Sequence, residues 1–494
     1  MESSSPPTSL AHGAARGAAW NLVTVIAERS IGFAVLVVLL RHVSAADVGL
    51  VAIGSAISEL ARMIASGGAG EQVIASPGDR AVEAGAFWGQ FLLSLAFAGA
   101  LFAIAPALSA AYGLHRLEWV IRALAANILI GCFLIVPSAR LAQNFRYRAL
   151  SLMSLGSTVT GGGAALALVH AGHGILALIT QRMVGIGFYA AAVSLIARWH
   201  PPMPPRLPVL ARSIRFNLPM MGAAFVDYIA VSGYVMLVGL RLPVVYVGRF
   251  RIAQRLTEVL QELSIFPISK VFLPVFVSVR DDAERRFTVA RDLCDALAML
   301  SLGVAAMAGA AARPIVLLMF GARWAAAVPV FSVMTLIIPA TALYAFVNPM
   351  LTALRRPVLV SLFAGINALT IALAAWFVSP FGLVPLAWAL ALRGALAALL
   401  LLPALSLGIG RSAWPLLRLF LVPILGLVAA RLAARAAVGW LGAAHSLPEE
   451  LLVSAGSAGI VFAAVLLILA RRRVGALIAR LRRIFLRRPL PVPA

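Results

Sequence analysis

Runs of about twenty apolar residues recur along this 494-residue chain, and that recurrence leaves few folds open. A helix needs roughly 20 apolar residues to cross the hydrocarbon core of a bilayer. Within lipid, only helices and closed barrels satisfy every backbone donor and acceptor. Fourteen spans are expected, starting near Trp20, Val48, Phe87, Leu117, Leu150, Ile175, Phe216, Val247, Leu293, Ala325, Val358, Leu383, Leu416 and Leu451. With 62% hydrophobic and 12% charged residues and a mean hydropathy of +0.98, the chain has too little polar surface for a soluble protein of this size. The fold class is therefore all-α and polytopic, with about 14 transmembrane helices. The first run is long, carries Glu28 and Arg29 at its centre and lacks a small-residue cleavage site, so it reads as a span rather than a removable signal.

The net charge of +23 is distributed as topology rather than as a nucleic-acid footprint. With the N-terminus placed in the cytoplasm, the inner segments hold Arg140, Arg146 and Arg148, then Arg198, Arg206, Arg212 and Arg215, then Arg280, Arg285, Arg286 and Arg291, then Arg355, Arg356, Arg411 and Arg418. The opposite segments read "HAGHG", "SPFG" and "HSLPEE". This asymmetry follows the positive-inside rule, and an even number of spans returns the C-terminus to the cytoplasm. The two cysteines, Cys132 and Cys294, fall in or beside spans and read as small apolar packing residues.

The segment "RWHPPMPPRLP" from Arg198 interrupts the helical pattern after six spans, because proline removes donors and disfavours helix in the residue before it. Comparing the halves at an offset of 199 residues sets Arg16 on Arg215, Glu28 on Asp227, Val48-Gly49 on Val247-Gly248, Ile53 on Ile252 and Glu59 on Glu258. Acids inside spans are rare, so two aligned acidic pairs point to a parallel repeat. The expected plan is a six-helix lobe over 14–200, a Pro-rich linker over 201–211, a second six-helix lobe over 212–405 and two extra helices over 414–470. The two lobes would be related by a pseudo-twofold axis around a central cavity. A basic tail over 471–494 places Val474, Leu477, Ile478, Leu481, Ile484 and Phe485 at helical spacing among arginines. It fits a short helix lying on anionic lipids, or alternatively a solvated basic segment.

Chemistry-bearing motifs are few. Lys270 is the only lysine and no P-loop surrounds it. His170 and His173 share a short outer turn with no carboxylate or cysteine beside them, which is a poor metal site. No extramembrane segment is long enough for a catalytic domain, so transport is expected rather than enzymatic chemistry, with no cofactor. What stands out is charge inside the spans. Arg251, Arg255, Glu258 and Glu262 are spaced four, three and four apart and share one helix face. Glu59 and Arg62 are three apart on the second span, Arg182 lies in the sixth and Asp227 in the seventh, beside Glu28 and Arg29 of the first. Two readings stand. The charges pair to fix helix packing, or Arg29, Arg62, Arg182, Arg251 and Arg255 receive an anion while Glu28, Glu59, Asp227, Glu258 and Glu262 serve as partners or take up a proton. Proton or sodium coupling follows from the second reading.

Several segments resemble one known family. They are "SAADVGLVAIGSAISEL", "PSARLAQNFRYRALSL", "GHGILALITQRMV", "VGRFRIAQRL" (with Arg249 where Tyr is commoner), "FLPVFVSVRDDAERRF" and "LLMFGARWAAAVPVF". Their order and spacing are similar to the polysaccharide transporter flippases of the MOP superfamily, particularly the Wzx type. The resemblance implies a carrier of the bacterial inner membrane. Its implied task is flipping undecaprenyl-pyrophosphate-linked oligosaccharide for exopolysaccharide, O-antigen or capsule assembly. It implies partners among polysaccharide-assembly proteins such as a polymerase, and no nucleic acid. The rivals are an ion-coupled small-molecule or multidrug exporter of the same superfamily, a membrane polymerase or ligase, and a non-transporting scaffold.

Overall fold

A computed structural model describes residues 8–442, 445–476 and 479, and every regular element among them is helical. In the first half these are α1 (Thr8–His42), α2 (Ala45–Ser66), α3 (Ala69–Ala75), α4 (Arg80–Tyr112), α5 (His115–Gln143), α6 (Tyr147–His170), α7 (Gly174–Ile196), α8 (Leu207–Tyr228) and α9 (Tyr234–Arg241). The second half continues with α10 (Val244–Ser264), α11 (Phe266–Ser269), α12 (Phe272–Ser278), α13 (Ala283–Ala310), α14 (Ala312–Phe320), α15 (Val328–Met334) and α16 (Ile337–Ala353). It ends with α17 (Pro357–Val378), α18 (Leu383–Leu400), α19 (Leu402–Ile409), α20 (Trp414–Trp440) and α21 (Leu447–Leu469). Each of the fourteen expected span starts falls inside a helical segment. Among the described residues, nine helices are long and apolar enough to cross a membrane, or eleven when two bent pairs each count as one span.

Local chemistry sets the helix starts. Ser44 accepts from the Asp47 amide at the head of α2, Asp79 accepts from Ala81 and Val82 at α4, and Asp282 accepts from Arg285 at α13. Ser446 and Glu449 close a reciprocal capping box on α21. The chain breaks at Ile265, just before Pro267, and α10 meets the α11–α12 pair at 46°, as the proline predicts. A second bend of 45° separates the stretch ending at Met334 from α16.

The helices form two compact units, Met1–Gly248 and Arg249–Ala494. In the first, α4 packs on α5, α5 on α7, α6 on α7, and α1 on α6. The irregular stretch covers 199–206, and α8 begins at Leu207 because Pro208 sits in its first turn, where proline is tolerated. The Trp88 indole donates to the Pro202 carbonyl (2.8 Å), and Trp199 meets Phe87 edge-on at 5.1 Å, so the linker is tied to the bundle. α8 and α9 pack on α2 and α4 in this first unit, whereas the sequence division assigns that span to the second lobe. Tyr228 and Tyr112 fix it there by donating to the carbonyls of Ala56 and Met236.

The repeat is visible where α2 meets the first turn of α10. A Cβ on Gly49 would lie 2.1 Å from the Val244 carbonyl oxygen, and one on Gly248 would lie 1.9 Å from that of Ala45. At the offset of 199, position 45 corresponds to 244 and 49 to 248, so the contact of Gly49 with Val244 and that of Gly248 with Ala45 are reciprocal. Only glycine permits two backbones to approach this closely.

In the second unit, α13 is the spine, packed by α16, α20 and α21. One core gathers Phe272, Phe276, Phe346 and Met350. Another joins Leu302, Ala430 and Phe462, the Phe462 ring lying between Gly303 and Gly426. Cys132 and Cys294 are buried free thiols. The tail predicted over 471–494 lies mostly outside the described residues, but 471–476 are helical. Arg473 there pairs with Asp295 and donates to the Leu419 carbonyl.

Candidate substrate-binding site

The first unit gathers charged side chains of α2 and α7. Arg62 forks onto Glu59, donating from Nε at 2.9 Å and from Nη2 to the other oxygen. The i,i+3 spacing allows this because both side chains rise from one helix face. Arg182, reaching from α7, lies within electrostatic range of the same carboxylate, and Tyr228 within range of Arg62. Glu59 and Arg62 keep 37% and 27% of their side chains exposed, so neither is sealed in the core. Arg62 and Arg182 both act on the Glu59 carboxylate, and a guanidinium fork suits an anion.

On α1, Glu28 is half-buried and Arg29 exposed. Adjacent residues on a helix point about 100° apart, so they do not serve one contact. Glu28 lies within electrostatic range of Tyr189 of α7. The Asp227 side chain lies outside the described residues.

In the second unit the stripe on α10 forms one network. Arg251 Nη1 donates to Glu258 Oε1 (3.0 Å), and Arg255 Nη1 donates to Glu258 Oε2 and Glu262 Oε1 (both 3.2 Å). Gln254 Nε2 adds a bond to Glu258 Oε1 (2.9 Å), and Gln261 Nε2 reaches Thr341 on α16 (3.0 Å). Two arginines meet two carboxylates here, so the stripe is internally neutral. Glu258 is its hub, accepting from three donors. A chain of charges this long survives among apolar helices only where water or a polar ligand reaches one side of it.

The sequence shows the stripe because a single helix fixes its spacing. It does not show Arg182 near Glu59, which depends on how α7 packs, nor Gln254 and Gln261, which are not ionisable. It also passes over Arg431 of α20, which donates to the carbonyls of Ala305 (2.9 Å) and Ser332 (3.2 Å) and to Thr335 Oγ1 (2.5 Å). Those groups surround the second helix bend, and Gly309 makes room, since a Cβ there would overlap the guanidinium.

A family model described as polysaccharide biosynthesis protein matches residues 38–329, more than half of the chain. The succinoglycan biosynthesis transport protein ExoT of Rhizobium meliloti (strain 1021) is 24% identical over 333 residues, covering 67% of this chain and 67% of its own. The lipid II flippase MurJ, in an inward closed conformation, superposes with a TM-score of 0.73 at 14% identity, over 92% of this chain and 99% of that one. An inward-facing multidrug resistance MATE family transporter of the MOP superfamily superposes at 0.62, also at 14% identity, over 78% and 94%. At such identities the two structures establish fold alone, and they bear out the expected all-helical polytopic architecture. The chain is thus a multi-pass membrane protein with that fold, and it belongs to the polysaccharide biosynthesis protein family.

Proposed function

We propose that this protein flips a lipid-pyrophosphate-linked oligosaccharide, with undecaprenyl as the lipid, from the cytoplasmic to the periplasmic face of the inner membrane by alternating access. The observation that carries the reading is the Glu59–Arg62–Arg182 trio, two guanidinium groups acting on one partly exposed carboxylate inside an apolar bundle. A pyrophosphate presents the paired oxygens that guanidinium forks bind two at a time. Likeness to a succinoglycan biosynthesis transport protein and a lipid II flippase supports a lipid-linked sugar as cargo.

In this reading the paired arginines are released as the cargo arrives. Arg62 exchanges the Glu59 carboxylate for phosphate oxygens, and Glu59 takes a proton or turns to water. On α10, one proton on Glu258 weakens its hold on both Arg251 and Arg255, so Glu258 is the natural coupling group. Arg29, exposed on α1, adds a further cation to the path.

A strain lacking the gene tests the reading by the sidedness of its lipid-linked oligosaccharides. Complete repeat units held on the cytoplasmic face, with surface polymer lost, are the expected result. Units that reach the outer face unpolymerised would assign an enzyme role instead. Unchanged lipid intermediates and polymer would favour the small-molecule exporter, whose fold the chain also shares.

A further inference from the structure

The two units carry the same local structure twice, and it is filled in one and open in the other. In the first unit, α3 ends at Ala75, Asp79 caps α4, and the turn from α5 to α6 runs through Asn144, Phe145 and Arg146. In the second, α12 ends at Ser278, Asp282 caps α13, and the turn from α16 to α17 runs through Leu354, Arg355 and Arg356. Six of the hydrogen bonds match. Ser76 N to Val73 O, Asp79 N to Ser76 O and Glu83 N to Asp79 O recur at an offset of 203 as Val279 to Phe276, Asp282 to Val279 and Arg286 to Asp282. Asn144 N to Arg140 O, Phe145 N to Ala142 O and Arg146 N to Leu141 O recur at an offset of 210 as Leu354 to Met350, Arg355 to Thr352 and Arg356 to Leu351. Phe145 and Arg355 even share the left-handed backbone, at φ 52° and 55°.

At these matched positions the chemistry diverges. Gln143 closes the first copy by donating to the Val73 carbonyl. Its counterpart is Ala353, which is too short to do so, and a cavity of about 230 Å³ remains, lined by Arg280, Asp281, Ala353, Leu354 and Arg355. Such a volume holds roughly seven waters at ~30 Å³ each, or one diphosphoryl group. Arg280 and Arg355 stand where the first unit has Pro77 and Phe145. Beneath them, the buried Glu83–Arg140 pair of the first unit becomes Arg286 and Met350. Arg286 turns to the carbonyls of Arg280 and Ile409, and its Nε is buried with no hydrogen-bond partner. Asp281 offers the only carboxylate in the lining. It is 90% exposed and meets Arg280 at 3.4 Å, a contact that an incoming anion replaces at small cost.

We infer that this pocket is a second anion site, one that binds a phosphate or diphosphate group. Opening the cavity, adding two arginines to its rim and exchanging an acid for an arginine beneath it all favour the same ligand charge.

The test uses the full chain in nanodiscs of neutral phosphatidylcholine, titrated with inorganic pyrophosphate by calorimetry and with phosphatidylglycerol by native mass spectrometry. Saturable binding of either probe is expected. Ala353→Gln, which restores the plug of the first unit, and Arg355→Gln, on the exposed rim, should each weaken it about tenfold. Arg146→Gln, in the matching turn of the first unit, should leave it unchanged. Pyrophosphate binding alone would assign a soluble phosphoryl ligand, and phosphatidylglycerol binding alone a lipid headgroup. Absence of saturable binding of both probes to the wild type, or equal affinity in wild type, Ala353→Gln and Arg355→Gln, would overturn the site. Flipping of lipid-linked cargo is measured separately, so loss of this site and loss of the proposed transport are distinguishable.

Discussion

Arg62 and Glu258 are where single side chains decide most. Arg62 meets Glu59 through its planar fork, so Arg62→Lys keeps the charge and loses the geometry. Transport should fall about tenfold with protein levels unchanged, the equivalent of ~1.4 kcal/mol; full transport by the Lys variant would return Arg62 to a packing role. Glu258 accepts from Arg251, Gln254 and Arg255. Glu258→Gln removes the charge that holds both guanidinium groups and the proton acceptor with it. Flux in that variant should lose its dependence on a proton gradient, as measured in vesicles with an imposed pH step; retained dependence would move coupling elsewhere. Residues of this kind were partly legible. The α10 stripe follows from spacing on one helix, whereas the approach of Arg182 to Glu59 depends on packing between helices far apart in sequence, which periodicity does not carry.

At the scale of elements, close approach and broken helices carry the argument. Gly49→Ala places a methyl group 2.1 Å from the Val244 carbonyl oxygen, so α2 and the start of α10 must separate. A loss of roughly 1–3 kcal/mol is expected from overpacking, read as a lower melting temperature in detergent, with Gly163→Ala, where nothing lies within 4 Å, near neutral. Arg431 binds the extra helix α20 to carbonyls at the bend between α15 and α16. Arg431→Met should therefore destabilise the second unit by about 3 kcal/mol, since it leaves buried acceptors unmet. An unchanged melting temperature would show that the clamp is dispensable. The bend at Pro267 is written in the sequence. The bend near Thr335 has a comparable signal in Pro339, in the first turn of α16 as Pro267 is in the first turn of α11. The matched glycines show in the sequence only as an aligned dipeptide, and their meaning needs the backbone contact.

The whole molecule was the most legible level. Hydropathy alone sets the membrane class, and arginine asymmetry predicts which ends face the cytoplasm. With both natural cysteines buried, that topology is open to direct labelling. His173→Cys should react with a membrane-impermeant maleimide in intact cells, and Arg206→Cys only after permeabilisation; the reverse pattern would invert the chain. What composition does not carry is cargo, because a flippase and a drug exporter can share the fold and differ in which side chains meet the ligand. Reconstitution of the purified protein into liposomes carrying a fluorescent undecaprenyl-pyrophosphate oligosaccharide decides this most directly. The label should become accessible to an external sugar-modifying enzyme with the wild type and remain protected with Arg62→Ala. Equal exposure with both proteins, or none with the wild type, would contradict an arginine-dependent flippase.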